Sequence, residues 1–159
     1  MAKFEKSIEI KGSPEKVWPI VSREKLMELQ PEWKRAEWIS KDKNKAGLTL
    51  HMIGEVGGYK AEMNVEFPEW TENEKLTWRT KYELTTSGSF TIDPTKVGSK
   101  YTVVMEYELP HSLLGKVIDK LRVHKVIEKN YEEYLKKLKD AVENELAKKD
   151  STGWNSRFF

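Results

Sequence analysis

Cysteine is absent from the 159-residue chain, which excludes disulfides, thiolate metal centres and a cysteine nucleophile. Its absence suits a reducing cytoplasm, or a hot-living source rich in Lys and Glu. Histidine is scarce: His51, His111 and His124 are the only three. A zinc site needs about four converging ligands, and nothing in the chain has that spacing. Neither a metal nor another cofactor is therefore expected. Long apolar runs are missing as well, since no stretch approaches the ~18 consecutive apolar residues of a membrane span. The opening "MAKFEKSIEIKG" holds no apolar signal core. No membrane insertion and a cytoplasmic location are the expectations. Charge of one sign is also lacking: 28 Lys and Arg face 26 Asp and Glu, for a net charge of +2. The two signs are interspersed and no basic patch interleaves with aromatics, so nucleic acid is not an expected partner. "GEVGGYK", from Gly54 to Lys60, is glycine-rich, but no Lys-Ser or Lys-Thr follows it into a helix. It reads as a hairpin turn rather than a phosphate loop.

What the chain does have is alternation. With 34% charged and 38% hydrophobic residues it is of globular composition, long enough for one domain with a sizeable core. Phe4, Ile8 and Ile10 alternate with Glu5, Ser7 and Glu9 as a first strand. Ser13 and Pro14 open a short helix carrying Val17, Trp18, Ile20 and Val21, which Pro19 keeps short or kinked. "REKLMEL" predicts a second short helix before Pro31. Six strands follow: "WKRAEWIS", "GLTLHMIGE", "YKAEMNVEF", "KLTWRTKYEL", "TTSGSFTID" and "SKYTVVMEYEL". Turns at Gly57-Gly58, Asn73-Glu74 and Asp93-Pro94 punctuate them as an antiparallel meander requires.

The last long segment, Ser112 to Lys149, is helical in pattern, with Ser112 as its N-cap and Gly153 past its end. Leu113, Val117, Leu121, Tyr131, Leu135, Leu138 and Val142 read as its apolar face. An α+β fold follows, in which a strongly twisted seven-stranded antiparallel sheet curls around this one helix. A curled sheet gripping a single helix tends to leave a gap that side chains do not fill, and function is to be sought there. The expected division is a domain over residues 1–149 and a flexible tail over residues 150–159. Trp154, Phe158 and Phe159 in that tail offer an alternative, folding over a cavity mouth or a neighbouring molecule.

From Phe4 to Asn144 the chain resembles the polyketide cyclase/dehydrase group of the START-like superfamily, whose members share the helix-grip fold. The resemblance rests on "SIEIKGSPEKVWPIVS", on "PEWKRAEW", and on "LLGKVIDKLRVHKVIEKNYEEYLKKLKDAVEN" with its close at Leu138, Lys139 and Glu143. These are signatures of fold and contain no catalytic motif. Such families include cyclases and aromatases, lipid and sterol carriers, and plant hormone and alkaloid binders. The resemblance implies a cavity for an apolar or aromatic small molecule, lipid-like or polyketide-like.

Inward phase makes Met63, Trp78, Tyr82, Phe90, Met105, Tyr107 and Leu121 the candidate lining, with methionine suited to an adaptable pocket. Some of these residues are plain core. His124 and Glu128 interrupt the helical stripe, one turn apart and within about 40° of its assigned middle. Three readings of the pair stand: a cap at a sheet edge, an internal His–Glu hydrogen bond, or a polar anchor inside the cavity. The expected function is binding or carriage of the small molecule. The alternatives are a cyclase or dehydratase using His124 and Glu128 as acid and base together with a tyrosine hydroxyl, and a protein-interaction module. Oligomeric state is not legible.

Overall fold

The computed structural model describes residues 2–22, 29–30, 33–38, 49–56, 59–82, 85–108 and 120–158. Strand β1 (Ala2–Ile10) leads into helix α1 (Pro14–Val21), followed by β2 (Trp33–Trp38), β3 (Thr49–Val56), β4 (Tyr59–Glu66) and β5 (Trp70–Thr71). Then come β6 (Lys75–Tyr82), β7 (Thr85–Pro94), β8 (Ser99–Glu108) and the terminal helix α2 (Lys120–Phe158). The sheet runs β1-β8-β7-β6-β4-β3-β2, with every pairing antiparallel and β5 attached to β6 beside that path. This is the seven-strand curved sheet that the alternation predicts.

The two-residue β5 is an addition: Trp70 pairs with Leu76 and Thr71 with Lys75 around a turn whose Asn73 takes a φ of 66°. Asparagine tolerates that left-handed conformation better than most residues. In α1, Lys16 and Val17 donate their backbone N–H groups to the carbonyl of Ser13, and Pro14 supplies a pre-set φ. Pro19 is tolerated because it and Glu15, whose carbonyl loses a helical donor to it, lie on the exposed side where water can substitute. The second short helix expected before Pro31 falls almost wholly on residues 23–28, outside the described residues.

Alternate residues of each strand form the concave face, and α2 lies against it, mainly along β1 and touching β3 and α1. Most of the core is one cluster built on Trp18, Phe90, Tyr101, Tyr134, Leu138 and Val142. A second, smaller cluster holds Phe4, Met105, Tyr107, Val123 and Ile127, and the half-buried Trp78 and Tyr131 touch both. Lys6, the one inward-phase cation of β1, reaches Glu132 of α2 at 2.9 Å and holds that carboxyl below its usual range. Farther along, Glu143 accepts the backbone N–H of Lys11 at 3.1 Å and lies 3.3 Å from Lys139. Lys139 also donates to the carbonyl of Glu9 at 2.9 Å, so the seam between β1 and α2 is tied at several points.

Two expectations about α2 need correction. Its buried face is Val123, Ile127, Tyr134, Leu135, Leu138 and Val142, whereas Leu121 is 63% exposed. At 100° per residue, Leu121 sits roughly 100° from the middle of that stripe. The stripe assigned from sequence is displaced because it omits Val123, Ile127 and Tyr134. Second, the helix does not stop at Lys149 but carries through Gly153 to Phe158. No proline follows Pro110 in the chain, and a single glycine costs a helix only about 1 kcal/mol relative to alanine. The expected helix start at Ser112 lies outside the described residues.

Candidate ligand-binding site

Antiparallel register places the inward residues in rows across the concave face. Trp78 of β6 stands opposite Gly88 of β7, Gly88 opposite Met105 of β8, and Met105 opposite Phe4 of β1. A Cβ at position 88 would lie 2.6 Å from the Trp78 ring and 2.4 Å from the Val104 carbonyl oxygen. The glycine is therefore what lets the Trp78 indole lie across β7. In the next row toward the β6–β7 turn, Thr86 stands opposite Tyr107, and Tyr107 opposite Ala2.

That row is where the polar groups collect. Thr86 donates its backbone N–H to Thr80 Oγ1 at 2.7 Å, and the two hydroxyl oxygens lie 3.2 Å apart, both residues buried. Tyr107 is 2% exposed, and its hydroxyl is hydrogen-bonded to Nδ1 of His124 on α2. The two rings are 5.3 Å apart at 50°. Around them lie Phe4, Met105, Val123 and Ile127, with the Phe4 ring 6.3 Å from that of Tyr107 and 5.0 Å from that of Tyr131. Burial raises the Tyr107 hydroxyl above its ordinary pKa, and the negative charge of Glu128 raises it further. The phenol thus stays protonated at neutral pH. Away from this row, toward α1 and β5, the face is aromatic and apolar, with Trp18 within 5.9 Å of both Trp70 and Phe90.

The residues singled out by pattern separate into groups. Met63 and Phe90 are buried in the larger cluster, and the Phe90 ring stacks obliquely on Tyr101 at 5.2 Å. Met105 and Tyr107 are buried in the smaller one, Trp78 bridges the two, and His124 is half-buried against Tyr107. Tyr82 pairs with Met63 through the backbone, and its side chain lies outside the described residues. Leu121 and Glu128 are exposed. Of the three readings of His124 and Glu128, the internal hydrogen bond between them is not formed: the partner of His124 among the described residues is Tyr107 from across the core. With the stripe centred on its six buried residues, Glu128 falls about 85° from its middle and His124 about 45°.

Thr80 and Thr86 were not singled out from sequence; their inward phase is visible there, but their mutual hydrogen bonds depend on strand register. His51 faces away from the core as its phase predicts, with ring nitrogens 2.6 Å from Asn64 Oδ1 and 3.0 Å from Glu62 Oε1. His111 lies outside the described residues, as do the side chains of Trp154, Phe158 and Phe159. Among the described residues no three His, Asp or Glu side chains converge as metal ligands, and no helix is long and apolar enough to cross a membrane.

Residues 1–143 match the family model described as polyketide cyclase / dehydrase and lipid transport. No curated protein matches the sequence. Among solved structures, the Zhui aromatase/cyclase of a Streptomyces species superposes with a TM-score of 0.75 at 11% identity, covering 91% of this chain and 95% of that one. A Thermus thermophilus protein gives 0.74 at 21% identity, covering 89% and 97%. A START superfamily protein of Mycobacterium smegmatis gives 0.72 at 19% identity, with the same coverage of 89% and 97%. At such identities the likeness establishes the shared helix-grip fold.

Proposed function

Because the chain belongs to the polyketide cyclase/dehydrase and lipid transport family, we propose that it binds an apolar or aromatic small molecule between the concave sheet face and α2. The observation that carries this reading is the Tyr107–His124 hydrogen bond set among Phe4, Met105, Val123 and Ile127. Taking polar groups out of water into such surroundings costs about 1–3 kcal/mol each unless they are fully partnered. Tyr107 is satisfied by His124, but the imidazole has a second nitrogen, and a ligand group would meet it. The apolar body of the molecule would extend over Trp78 toward the larger cluster.

Burying ~300 Å² of apolar ligand surface contributes about 7 kcal/mol gross at 25 cal/mol/Å². Association costs of roughly 4 kcal/mol or more offset much of that, so shape alone gives weak binding and one directional contact matters. His124→Ala is expected to weaken the bound molecule by about 1–3 kcal/mol, the scale of a lost buried hydrogen bond. Native mass spectrometry of the purified protein identifies what it carries, and titration of wild type and variant measures the loss. Unaltered affinity in a folded His124→Ala protein would remove His124 from the site.

A second reading draws on the same contact. A phenol and an imidazole that share a proton beside a carboxylate are the components of general acid–base catalysis, so a cyclase or dehydratase acting through His124 is the alternative activity. In it Tyr107 takes the place beside His124 that sequence spacing gave to Glu128. Turnover of a poly-keto substrate, abolished in both Tyr107→Phe and His124→Gln, separates this reading from simple carriage.

A further inference from the structure

We infer that Tyr107, His124 and Glu128 together select the polar head of the bound molecule, favouring an uncharged hydrogen-bond acceptor such as a ketone or amide carbonyl and rejecting a carboxylate. This deepens the binding reading above and rests on it. The first step is the direction of the Tyr107–His124 bond. The Tyr107 hydroxyl is buried, and its partner among the described residues is Nδ1 of His124. An O–H left without an acceptor in such a place is costly, so the phenol donates and Nδ1 accepts. A neutral imidazole that accepts at Nδ1 carries its proton at Nε2. The open nitrogen of the half-buried ring is then a donor, and what it needs from a ligand is a lone pair. Tyr107 acts here as a positioning residue that sets the tautomer.

The second step concerns charge. Glu128 follows His124 by one helical turn, about 40° around the axis. Its carboxylate is the charged group that acts on the Tyr107 hydroxyl among the described residues. Glu128 forms no hydrogen bond or ion pair among those residues, whereas Glu133, farther along, has Lys129 at 4.0 Å. The side chains packed around Tyr107 in its cluster, Phe4, Met105, Val123 and Ile127, are apolar. A carboxylate brought to Nε2 would meet the like charge of Glu128 one helical turn away, whereas a carbonyl would accept the same hydrogen bond without that repulsion.

The test uses three probes with a common alkyl chain: methyl undecyl ketone, lauric acid and dodecane. Each is titrated by tryptophan fluorescence at pH 8, where the acid probe is ionised. In wild type the ketone should bind about tenfold more tightly than the acid, the effect expected of one nearby like charge. Glu128→Gln should shrink that ratio to near unity, and being an exposed helix position it should leave the fold intact. Tyr107→Phe should narrow the ratio as well, and the imidazole 15N spectrum should show the proton on Nε2 in wild type but divided between the nitrogens in the variant. A purely structural tyrosine would move neither the ratio nor the tautomer. Lauric acid binding as tightly as the ketone, or a ratio indifferent to Glu128→Gln, overturns the inference. If dodecane and both headed probes bind alike, the apolar site stands and only the head selection fails. If none of the three binds, the binding reading falls and takes this inference with it.

Discussion

Replacing Gly88 with alanine tests the geometry of the concave face directly. The backbone at Gly88 is ordinary strand, so the objection to a side chain is space rather than conformation. The new Cβ would lie 2.4 Å from the Val104 carbonyl oxygen and 2.6 Å and 3.0 Å from two atoms of the Trp78 ring, where ordinary contact begins at 3.4 Å. The indole can move aside, at the cost of its packing between the two clusters. The carbonyl belongs to the β7–β8 ladder and yields only if the strands separate locally. Overpacking of this kind costs about 1–3 kcal/mol. With a backbone atom in the way, the upper part of that range is expected, about 2–3 kcal/mol. A chain of this size would melt about 4–12 °C lower.

The assay is urea unfolding followed by far-ultraviolet circular dichroism, which does not depend on the displaced indole, with tryptophan emission as a second signal. Trp78→Phe removes the ring atoms that Cβ meets and leaves the Val104 oxygen where it is. In that background Gly88→Ala should cost less than in wild type but still destabilise. A loss below about 0.5 kcal/mol in wild type, the scale of an indifferent surface change, would refute the geometry. An equal loss in both backgrounds would refute the placement of Trp78 over Gly88.

The buried hydroxyls of Tyr101 and Tyr134, 2.9 Å apart, predict non-additive mutations. Either Tyr→Phe change alone strands one hydroxyl and should cost about 1–3 kcal/mol, while the double change should cost less than the sum, as a double-mutant cycle would show. Burial, with the two phenols' mutual interaction, pushes the Tyr101 pKa well above 10.0, and burial raises that of Tyr134 too. The folded protein therefore holds these protons where the unfolded chain releases them. Their contribution to stability is complete below about pH 10 and is lost as pH rises beyond it. Tyrosinate absorbance from this pair should accordingly rise together with loss of circular dichroism; reversible ionisation near pH 10 in a folded protein would count against the buried pair.

Legibility in the sequence followed physical locality. Tyr59 to Phe67 alternates without a break, and β4 is found where the alternation puts it, because a period of two over eight residues belongs to a strand alone. β5 has two residues and no period to read. The helical stripe was located to within half its width. Leu113, Val117 and Leu121 drew it to one side, whereas the spacing Val123, Ile127, Tyr134, Leu138, Val142 was available in the sequence and marks the buried face. At the site, His124 stood out as a polar residue on an apolar stripe. Its partner did not, because Glu128 is close along the helix while Tyr107 is close only through the packing of α2 on the sheet. Interactions between residues four apart on a helix can be read from a sequence; those that depend on the register of another element require the fold.

That dependence can be followed down one hairpin. Tyr107 points inward because Ser99, Tyr101, Val103 and Met105 before it on β8 do, and a slip of one residue would turn it to the convex face. The phase is set at the other end of the strand, in the turn after β7. Thr95 and Gly98 exchange backbone hydrogen bonds of 3.0 Å and 3.3 Å there, and Gly98 adopts a φ of 151° that favours glycine. A Cβ at Gly98 would also lie 2.4 Å from the backbone nitrogen of Gly12 and 2.5 Å from the carbonyl oxygen of Ile10. Beside it Ser99, fully buried, donates its hydroxyl to the Gly12 carbonyl at 2.6 Å. The turn is thus fitted against the end of β1, and β8 leaves it in a single phase. The tyrosine that holds His124 is aimed from the far end of its own strand, so a change at Gly98 reaches the site through register without touching any of its residues.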